Sequence, residues 1–337
     1  MRKNVVLLLV ALSCATSMFG QNNTDNIAAD IRRLELYPAD ISTASQKNLK
    51  GIVFSVTHGI YEYKENFGDP APGNLEQGVV TYYDETGSPI KATGTSYGYS
   101  TTYVHSYTNE GGQKKVTSVS ESKTLERTYT GDIVTTYTVY HGNQRSIEEK
   151  LVGKQNADKT WSFKWYGSDG NLIREDTRTY DAKGRITKLV IPNGVKYGHA
   201  DDYIHLPLEG IFKYDDKGRL ISYQRINKNN SRERDLTDLI VYNEKGDLIK
   251  TIATGRIVDI NNVGRVNYKG KSAPDRKFRD ERTQYENYKY DDHGNWIYRV
   301  FVGNGNSNIV RKIEKREIVY CNSVDELKAK AAEVMTK

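Results

Sequence analysis

The sequence predicts an all-β protein, a repeat-built antiparallel sheet of stacked hairpins with short helices at both ends. Hydrophobic residues make up only 37% of the chain and its mean hydropathy is −0.70, yet it contains 25 tyrosines. A strand–turn motif recurs through the middle of the chain, and helical spacing of apolar residues is confined to the two ends. This composition excludes a thick aliphatic core and indicates a thin sheet in which aromatic rings supply the buried surface.

Residues 1–20 have the composition of a secretory signal peptide. Arg2 and Lys3 precede the apolar run 5–12, which is too short to span a bilayer as a permanent helix. A polar stretch follows at once, so we expect cleavage after Gly20. The alternative, a buried N-terminal helix, is disfavoured by that polar stretch.

Export to the bacterial periplasm or outer surface follows from the signal and from cysteine usage. Without residues 1–20, Cys321 is the one cysteine left, so no intramolecular disulfide can form. A rival processing route attaches lipid to Cys14, but the lipoprotein box places Leu where this chain has Ala11. Cleavage lowers the formal charge from +6 to +4, which is too small to indicate nucleic acid as the main partner. No second apolar stretch is long enough to cross a membrane.

The remaining chain divides into three predicted parts. Residues 21–48 form an N-terminal segment with a short helix, and residues 49–321 form the sheet domain. Residues 322–337 form a capping helix that starts with a capping box, in which Ser323 precedes Glu326 by three positions. The N-terminal helix is predicted from three apolar residues on one face, Ile27, Ile31 and Leu34.

A short motif recurs six times in the sheet domain. Its strongest copies begin at positions 180, 214 and 242, which are 34 and 28 residues apart. Repetition at this spacing is typical of stacked supersecondary units. The copies are residues 83–87, 166–173, 180–186, 214–221, 242–249 and 290–297.

Each copy predicts a β-hairpin with a tight turn. In the copy at 214–221, Asp215 opens a type I turn because its side chain can accept backbone N–H groups two residues on. Gly218 supplies the positive φ of the bulge that returns the chain. Tyr214 and Leu220 flank the turn and can pack across the two strands. A single hairpin is marginal in water, so the units must stack side by side.

Residues 214–220 read Tyr-Asp-x-x-Gly-Arg-Leu and resemble the YD repeat of the Rhs family. Residues 180–186 match with Ile in the last place, and the resemblance covers about residues 160–300, with a weak extension back to 83. In that family the repeats form curved β-sheets, and long arrays close into shells around toxins. This chain has too few copies to imply a shell. The copy at 166–173 also resembles MORN-type antitoxin repeats.

Three aromatic residues on one predicted strand face are the candidate glycan-binding residues: Trp161, Phe163 and Trp165. Flat rings on an exposed sheet can stack on sugars. The alternative, which we favour, is that they pack on neighbouring strands and supply core that scarce aliphatic residues cannot. The same alternation recurs at Tyr103, His105 and Tyr107.

The other reactive residue types have structural interpretations. Four ligand-type side chains occur within residues 199–205, but two histidines at its ends would lie far apart on a strand, so we expect a polar insertion. The basic stretch 265–282 could contact anionic glycans or lipid headgroups; interspersed acidic residues favour a solvated loop. Cys321 stands without a histidine motif. We therefore expect no metal, no cofactor and no identifiable catalytic residue.

The predicted function is a non-catalytic cell-envelope scaffold or binding module for protein or glycan. One alternative is a glycan-binding protein that uses the aromatic strand face. A second is an envelope hydrolase with an unrecognised site, although no nucleophile elbow, P-loop, dinucleotide fingerprint or zinc-protease motif occurs. Exposed sheet edges would also permit pairing between chains.

Overall fold

A computed structural model describes most of the chain after residue 43. The predicted signal peptide 1–20 and the predicted helix within 21–48 lie outside the described residues. The described residues are 44, 47–96, 99–131, 133–141, 146–192, 195–196, 203–204, 208–227, 233–257, 276–304 and 309–336.

Within these residues the chain is almost entirely strand, as the sequence predicts. The first half contains β1 (Val53–Asn66), β2 (Asp69–Tyr83), β3 (Pro89–Ser96), β4 (Tyr99–Glu110), β5 (Gln113–Val119), β6 (Lys123–Thr130), β7 (Ile133–His141), β8 (Ser146–Gln155), β9 (Trp161–Gly167) and β10 (Leu172–Tyr180).

The second half continues the same pattern and ends in a helix. It contains β11 (Ile186–Ile191), β12 (Val195–Lys196), β13 (Tyr203–Ile204), β14 (Leu208–Tyr214), β15 (Leu220–Asn227), β16 (Glu233–Tyr242), β17 (Leu248–Ile257), β18 (Arg276–Tyr290), β19 (Trp296–Asn304), β20 (Ile309–Tyr320) and the helix α1 (Val324–Thr336).

Eighteen strands form one antiparallel sheet that closes on itself, while β12 and β13 pair separately. Closure occurs at β1, which pairs with β2 through Ser55 opposite Tyr82 and with β20 through Thr57 opposite Glu317. Every strand of the large sheet therefore has two neighbours. The expectation of exposed sheet edges is wrong for this sheet, because the last strand of the array finds the first and satisfies its backbone groups.

Burial alternates along the strands, as a period of two requires. Lys91 Nζ donates to Val334 O of α1 at 3.4 Å, whereas the neighbouring Ala92 points to the other face. Ala92 pairs with Tyr103, which belongs to the large buried cluster. The buried cluster therefore lies on the face of the sheet opposite α1. In a closed sheet, the face whose side chains pack together out of solvent is the inner one, so α1, whose Lys328 is exposed, lies outside.

Three groups of side chains form the core. The first comprises Tyr103, Leu125, Tyr137, Val139, Leu151, Trp161, Phe163 and Trp165. The second comprises Ile186, Leu189, Ile191, Phe212 and Tyr223. The third lies where the sheet closes and comprises Val53, Val56 and Tyr83. Aromatic rings supply much of each group, which agrees with the composition.

The predicted turns are confirmed. Gly218 has a φ of +84° and its N–H donates to Asp215 O at 2.9 Å, while Asp215 Oδ1 accepts from Arg219 N at 2.8 Å. The strand register shifts by one residue beside Tyr214, which then pairs with Leu220. This is the type I turn with a glycine bulge. The equivalent glycines Gly184, Gly246 and Gly294 have φ of +74°, +91° and +78°.

Five of the glycine turns lie at one end of the closed sheet, here called the turn end. They connect β2 to β3, β10 to β11, β14 to β15, β16 to β17 and β18 to β19. The first strand of each pair runs in the same direction, so the antiparallel array brings the five turns to the same side. The sixth copy, at residues 166–173, connects β9 and β10 and lies at the opposite end. The turn end contains residues 84–88, 181–185, 215–219, 243–247 and 291–295.

Successive turns are joined by stacked side chains, a contact that the repeat motif alone did not predict. Arg185 lies over the Tyr214 ring at 4.5 Å, one turn further along the sheet. The next step continues the same way, because Arg219 lies over Tyr242 at 4.6 Å. Tyr214 OH also donates to Ile186 O at 2.9 Å. The tyrosine and the cation of the motif therefore bind neighbouring units together, in addition to shaping their own hairpins.

Residues 47–51, here called the N-terminal strap, lie across the turn end. Lys50 N donates to Asn295 Oδ1 at 2.8 Å, and Asn295 Nδ2 donates back to Lys50 O at 2.9 Å. Asn48 Nδ2 donates to Lys245 O at 3.3 Å. These contacts join residues far apart in sequence and cover the turns at 243–247 and 291–295.

The helix α1 begins with the predicted cap. Glu326 N donates to Ser323 Oγ at 3.2 Å, and the Glu326 carboxylate accepts from Asn322 N at 2.8 Å. Leu327 and Ala331 are buried beside β1, β2 and β3. At 13 residues, this helix falls short of the length needed to cross a bilayer, and among the described residues no helix meets the length and hydropathy of a membrane span.

Candidate binding surface and buried charge clusters

The aromatic strand predicted as a glycan platform is β9, and its alternating rings point inward. Trp161 and Trp165 are each 7% exposed and Phe163 is fully buried. Trp161 and Phe163 are stacked with ring centroids 6.2 Å apart. The three rings are thus part of the first core group, as the packing alternative expected. Sugar binding by them stays a prediction.

Asp176 on β10 anchors these rings through a buried charge cluster. Its carboxylate accepts from Arg178 Nε and Arg174 Nη2, each at 2.6 Å, and from Trp165 Nε1 at 3.1 Å. Burial alone would raise the pKa of Asp176, but the two guanidinium groups outweigh it and hold that pKa below its usual value. Arg178 also lies 4.1 Å over the Phe163 ring. The cluster joins β9 to β10, and both oxygens of the Asp176 carboxylate accept hydrogen bonds within it.

A second charge cluster lies where the sheet closes. Glu314 on β20 accepts from Arg299 Nε at 2.9 Å and Nη2 at 2.5 Å, and His58 Nε2 lies 3.3 Å from the same oxygen. Burial would raise the pKa of Glu314, but Arg299 and His58 lower it to about 2. Burial lowers the pKa of His58, against the opposing effect of Glu314. A neutral imidazole therefore lies beside an ionised, arginine-bound carboxylate.

Arg316 extends this cluster along β20. Its guanidinium lies 3.6 Å over the Trp296 ring, on which Arg299 also stacks at 4.1 Å. Burial and the charge of Arg299 together lower the pKa of Arg316 to about 10. His58 stands directly opposite Arg316 in the strand register. These contacts fix the side chains on either side of the closure, and sequence reasoning missed them because their partners come from strands at opposite ends of the chain.

The second aromatic alternation, on β4, also points inward. Tyr103 is 6% exposed and His105 is 1% exposed. His105 Nδ1 lies 2.9 Å from Ser118 Oγ on β5, and Tyr107 OH donates to Pro89 O at 2.6 Å. Burial raises the pKa of Tyr103. The His105 imidazole and the Tyr107 hydroxyl group therefore form hydrogen bonds with residues of the neighbouring strands.

The outer face carries a shallow concave surface of about 260 Å³ across β5, β6 and β7, here called the outer patch. In the register, Lys115 lies opposite Thr128 and Thr128 opposite Thr136, while Glu126 lies opposite Thr138. These five strand positions alternate with buried ones, which holds their side chains outward. Sequence reasoning missed the surface because threonine is an ordinary strand former. Its lining is Gln113, Lys115, Glu126, Thr128, Thr136 and Thr138.

The other candidates from the sequence are the ligand-type side chains within 199–205, the basic stretch 265–282 and Cys321. Residues 199–202 and His205 lie outside the described residues, as does most of the basic stretch 265–282. Cys321 is 7% exposed, and burial raises the pKa of its thiol, which disfavours the nucleophilic thiolate. Among the residues that the structure describes, no group of three or more His, Cys, Asp or Glu side chains could hold a metal ion.

Comparison with known proteins finds similar chains among solved structures alone. No family model matches the chain, and no curated protein matches it. Among solved structures, a chain of the Photorhabdus luminescens Tc holotoxin pore, carrying a mutation in TccC3, is similar with 11% identity and a TM-score of 0.20. The match covers 86% of this chain but only 20% of the toxin chain. A score this low does not indicate a shared fold, so the likeness carries no functional conclusion.

Proposed function

We propose that the protein is a non-catalytic β-repeat scaffold of the bacterial cell envelope whose outer patch binds a glycan or a polar protein segment. The observation that carries this proposal is the outer patch itself, where six hydrogen-bonding side chains from three adjacent strands line one concave surface. Ligand sites combine a concave shape with a few polar groups in fixed positions.

Rigidity supports the proposal. The inner faces of the same three strands are anchored by Val116, Leu125 and Tyr137, which are exposed by 1%, 0% and 2%. Binding groups that project from a packed sheet lose little conformational freedom when a ligand binds. The patch is therefore ordered before binding.

The chemistry of the patch favours an uncharged, hydroxyl-rich partner, so glycan is the first choice. The hydroxyl groups of Thr128, Thr136 and Thr138 both donate and accept hydrogen bonds. Lys115 and Glu126 carry opposite charges that offset each other within the patch. An open, neutral, hydroxyl-lined surface suits the equatorial hydroxyl groups of a polysaccharide better than a charged ligand.

Envelope location rests on the export signal that the sequence predicts. The Rhs-type resemblance supports the repeat-built scaffold, because the motif residues form the inter-turn contacts of the sheet. Both are reasons for the proposal and await measurement of where the chain resides in the cell.

A glycan array and co-sedimentation with purified peptidoglycan test the proposal. We expect binding by the wild type and at least a tenfold loss in a Thr136→Val, Thr138→Val variant, which removes two hydroxyl groups while keeping side-chain shape. Thr102→Val, on the outer face of β4, is the matched control and should bind as the wild type does. Equal binding by all three proteins would exclude the outer patch as the glycan site.

A further inference from the structure

A row of mainly apolar side chains crosses the outer face beside the outer patch, here called the apolar row. Val104 on β4 lies opposite Val119 on β5, and Tyr140 on β7 lies opposite Ile147 on β8. Thr124 on β6 completes the row between them. Val104, Val119 and Ile147 are 36%, 45% and 42% exposed. Contiguous apolar surface that stays in water often marks the site of a ligand or partner.

The apolar row is bounded at both ends. Lys91 on β3 lies opposite Val104, but its Nζ donates to Val334 O at 3.4 Å, which places the C-terminal end of α1 over that side. At the other side, the register of β8 with β9 begins at Glu149, beyond Ile147. The open row therefore crosses five strands, which span about 19 Å at a strand spacing of about 4.8 Å.

A row of polar side chains, here called the polar row, runs parallel to the apolar row. Thr117 lies opposite Glu126, Glu126 opposite Thr138, and Thr138 opposite Lys150. Thr117, Glu126 and Thr138 are each two positions along their strand from a member of the apolar row, a separation of about 7 Å on the same face. Glu126 and Thr138 also line the outer patch. The polar row therefore joins the outer patch to the apolar row.

A sugar ring has the same two kinds of surface as these rows. Its C–H groups form apolar faces, and its hydroxyl groups project from the edge of the ring. Tyr140 offers an aromatic ring to a C–H face, and removal of that face from water is favourable. Glu126 accepts hydrogen bonds from hydroxyl groups, and Thr138 both donates and accepts them.

We infer that the outer patch binds an extended β-1,4-linked glycan that crosses β4 to β8, with its rings on the apolar row and its hydroxyl edge on the polar row. The inference rests on the proposed binding of glycan by the outer patch. In an extended β-linked chain each hexose advances by about one strand spacing, so the row contacts about four sugars. An α-1,4-linked chain coils and would leave the row.

Chain length and linkage test the inference. Cello-oligosaccharides and chito-oligosaccharides of two to six sugars, both β-1,4-linked, are titrated into the full chain by calorimetry, with malto-oligosaccharides as the α-linked control. We expect the affinity for at least one β-linked series to rise up to about four sugars and then level off. Equal affinity for the α-linked series, or a β-linked affinity that stays constant beyond two sugars, would overturn the inference.

Substitutions test the apolar row directly. Val119→Thr with Tyr140→Thr makes the row polar but keeps β-branched residues, which favour strands. We expect a loss of about tenfold in affinity for the β-linked tetramer, because apolar contact area is removed. Leu239→Thr replaces an exposed apolar side chain on β16 and is the control, which should bind as the wild type does. If the double variant does not fold, the wild-type length series still decides.

The variants also separate this inference from the proposed function. Loss of binding in Thr136→Val, Thr138→Val together with wild-type binding in Val119→Thr, Tyr140→Thr would leave the outer patch in place and exclude the apolar row. Failure of the wild type to bind any glycan would overturn both.

Discussion

Arg219 lies over the ring of Tyr242, with its guanidinium carbon 4.6 Å from the ring centre, and this contact links two consecutive glycine turns. Arg219 is also held by Asp215 of its own turn, since Arg219 Nε donates to Asp215 Oδ2 at 2.7 Å. The pair shows one role of the tyrosine of the motif and of the arginine that the copies at 180–186 and 214–221 carry. One unit supplies the cation, and the next supplies the ring that receives it.

The coupling between these two side chains can be measured with a double-mutant cycle of Arg219→Met and Tyr242→Leu. We expect a coupling free energy of about 0.5–1 kcal/mol, because the contact is partly exposed. Urea unfolding of the two single variants and the double variant gives the value. Arg219→Met combined with Tyr298→Leu is the control, and its effects should add. Additive effects in the first cycle would show that the stacking has no energetic role.

Gly218→Val should destabilise the protein by about 1–3 kcal/mol, because a β-branched residue is strained at φ +84°. A side chain there would also approach Arg185 Nη1, at 3.2 Å from the added Cβ. Thermal unfolding measures the change. Gly78→Ala is the control, since its nearest neighbour would lie at 3.7 Å. An unchanged melting temperature in Gly218→Val would contradict the bulge assignment.

Acid should destabilise the sheet where it closes. The pKa of Glu314 is about 2 in the folded protein, below its value of 4.5 in an unfolded chain, so the unfolded state takes up the proton first. Glu314 therefore contributes stability above pH 4.5 that is lost as the pH falls toward 2, on the order of 2–3 kcal/mol. Urea unfolding at pH 6 and pH 3 measures this loss.

Glu314→Gln should be less stable than the wild type at pH 6 and should lose less stability between pH 6 and pH 3. Glu317→Gln, on the exposed face of the same strand, is the control and should keep the wild-type dependence. The lowered pKa of His58 adds to the loss in the same direction, because the unfolded imidazole protonates first as the pH falls through 6.5. An identical pH dependence in Glu314→Gln and the wild type would contradict this account.

Trp161→Ala with Trp165→Ala tests the glycan platform that the sequence predicted. Because both rings are buried, we expect a loss of about 3–5 kcal/mol for each substitution, seen in chemical unfolding. The folded variant Trp161→Leu, which keeps an apolar side chain, separates stability from binding on a glycan array. If its glycan binding equals that of the wild type, Trp161 takes no part in sugar recognition.

The elements that the sequence predicted correctly are those governed by contacts within a few residues. Asp215 and Gly218 shape their turn through hydrogen bonds that span at most four positions, and Ser323 caps α1 in the same local way. The outer patch was missed because threonine alternation fits any strand. Thr128 and Thr136 lie side by side because of the register between β6 and β7, and the sequence pattern does not specify that register.

By itself, then, the sequence determined an all-β chain of glycine-turn hairpins whose rings replace an aliphatic core, because turn chemistry and strand alternation are local. Only the tertiary structure decided that the array closes, since closure depends on β1 meeting β20 and on Lys50 reaching Asn295, 245 positions away. It also decided which buried charges find partners: Glu314 meets Arg299 across neighbouring strands, whereas Arg127 Nη2 has no hydrogen-bond partner among the described residues. Charge pairing depends on distances in space, which the order of residues along the chain does not specify.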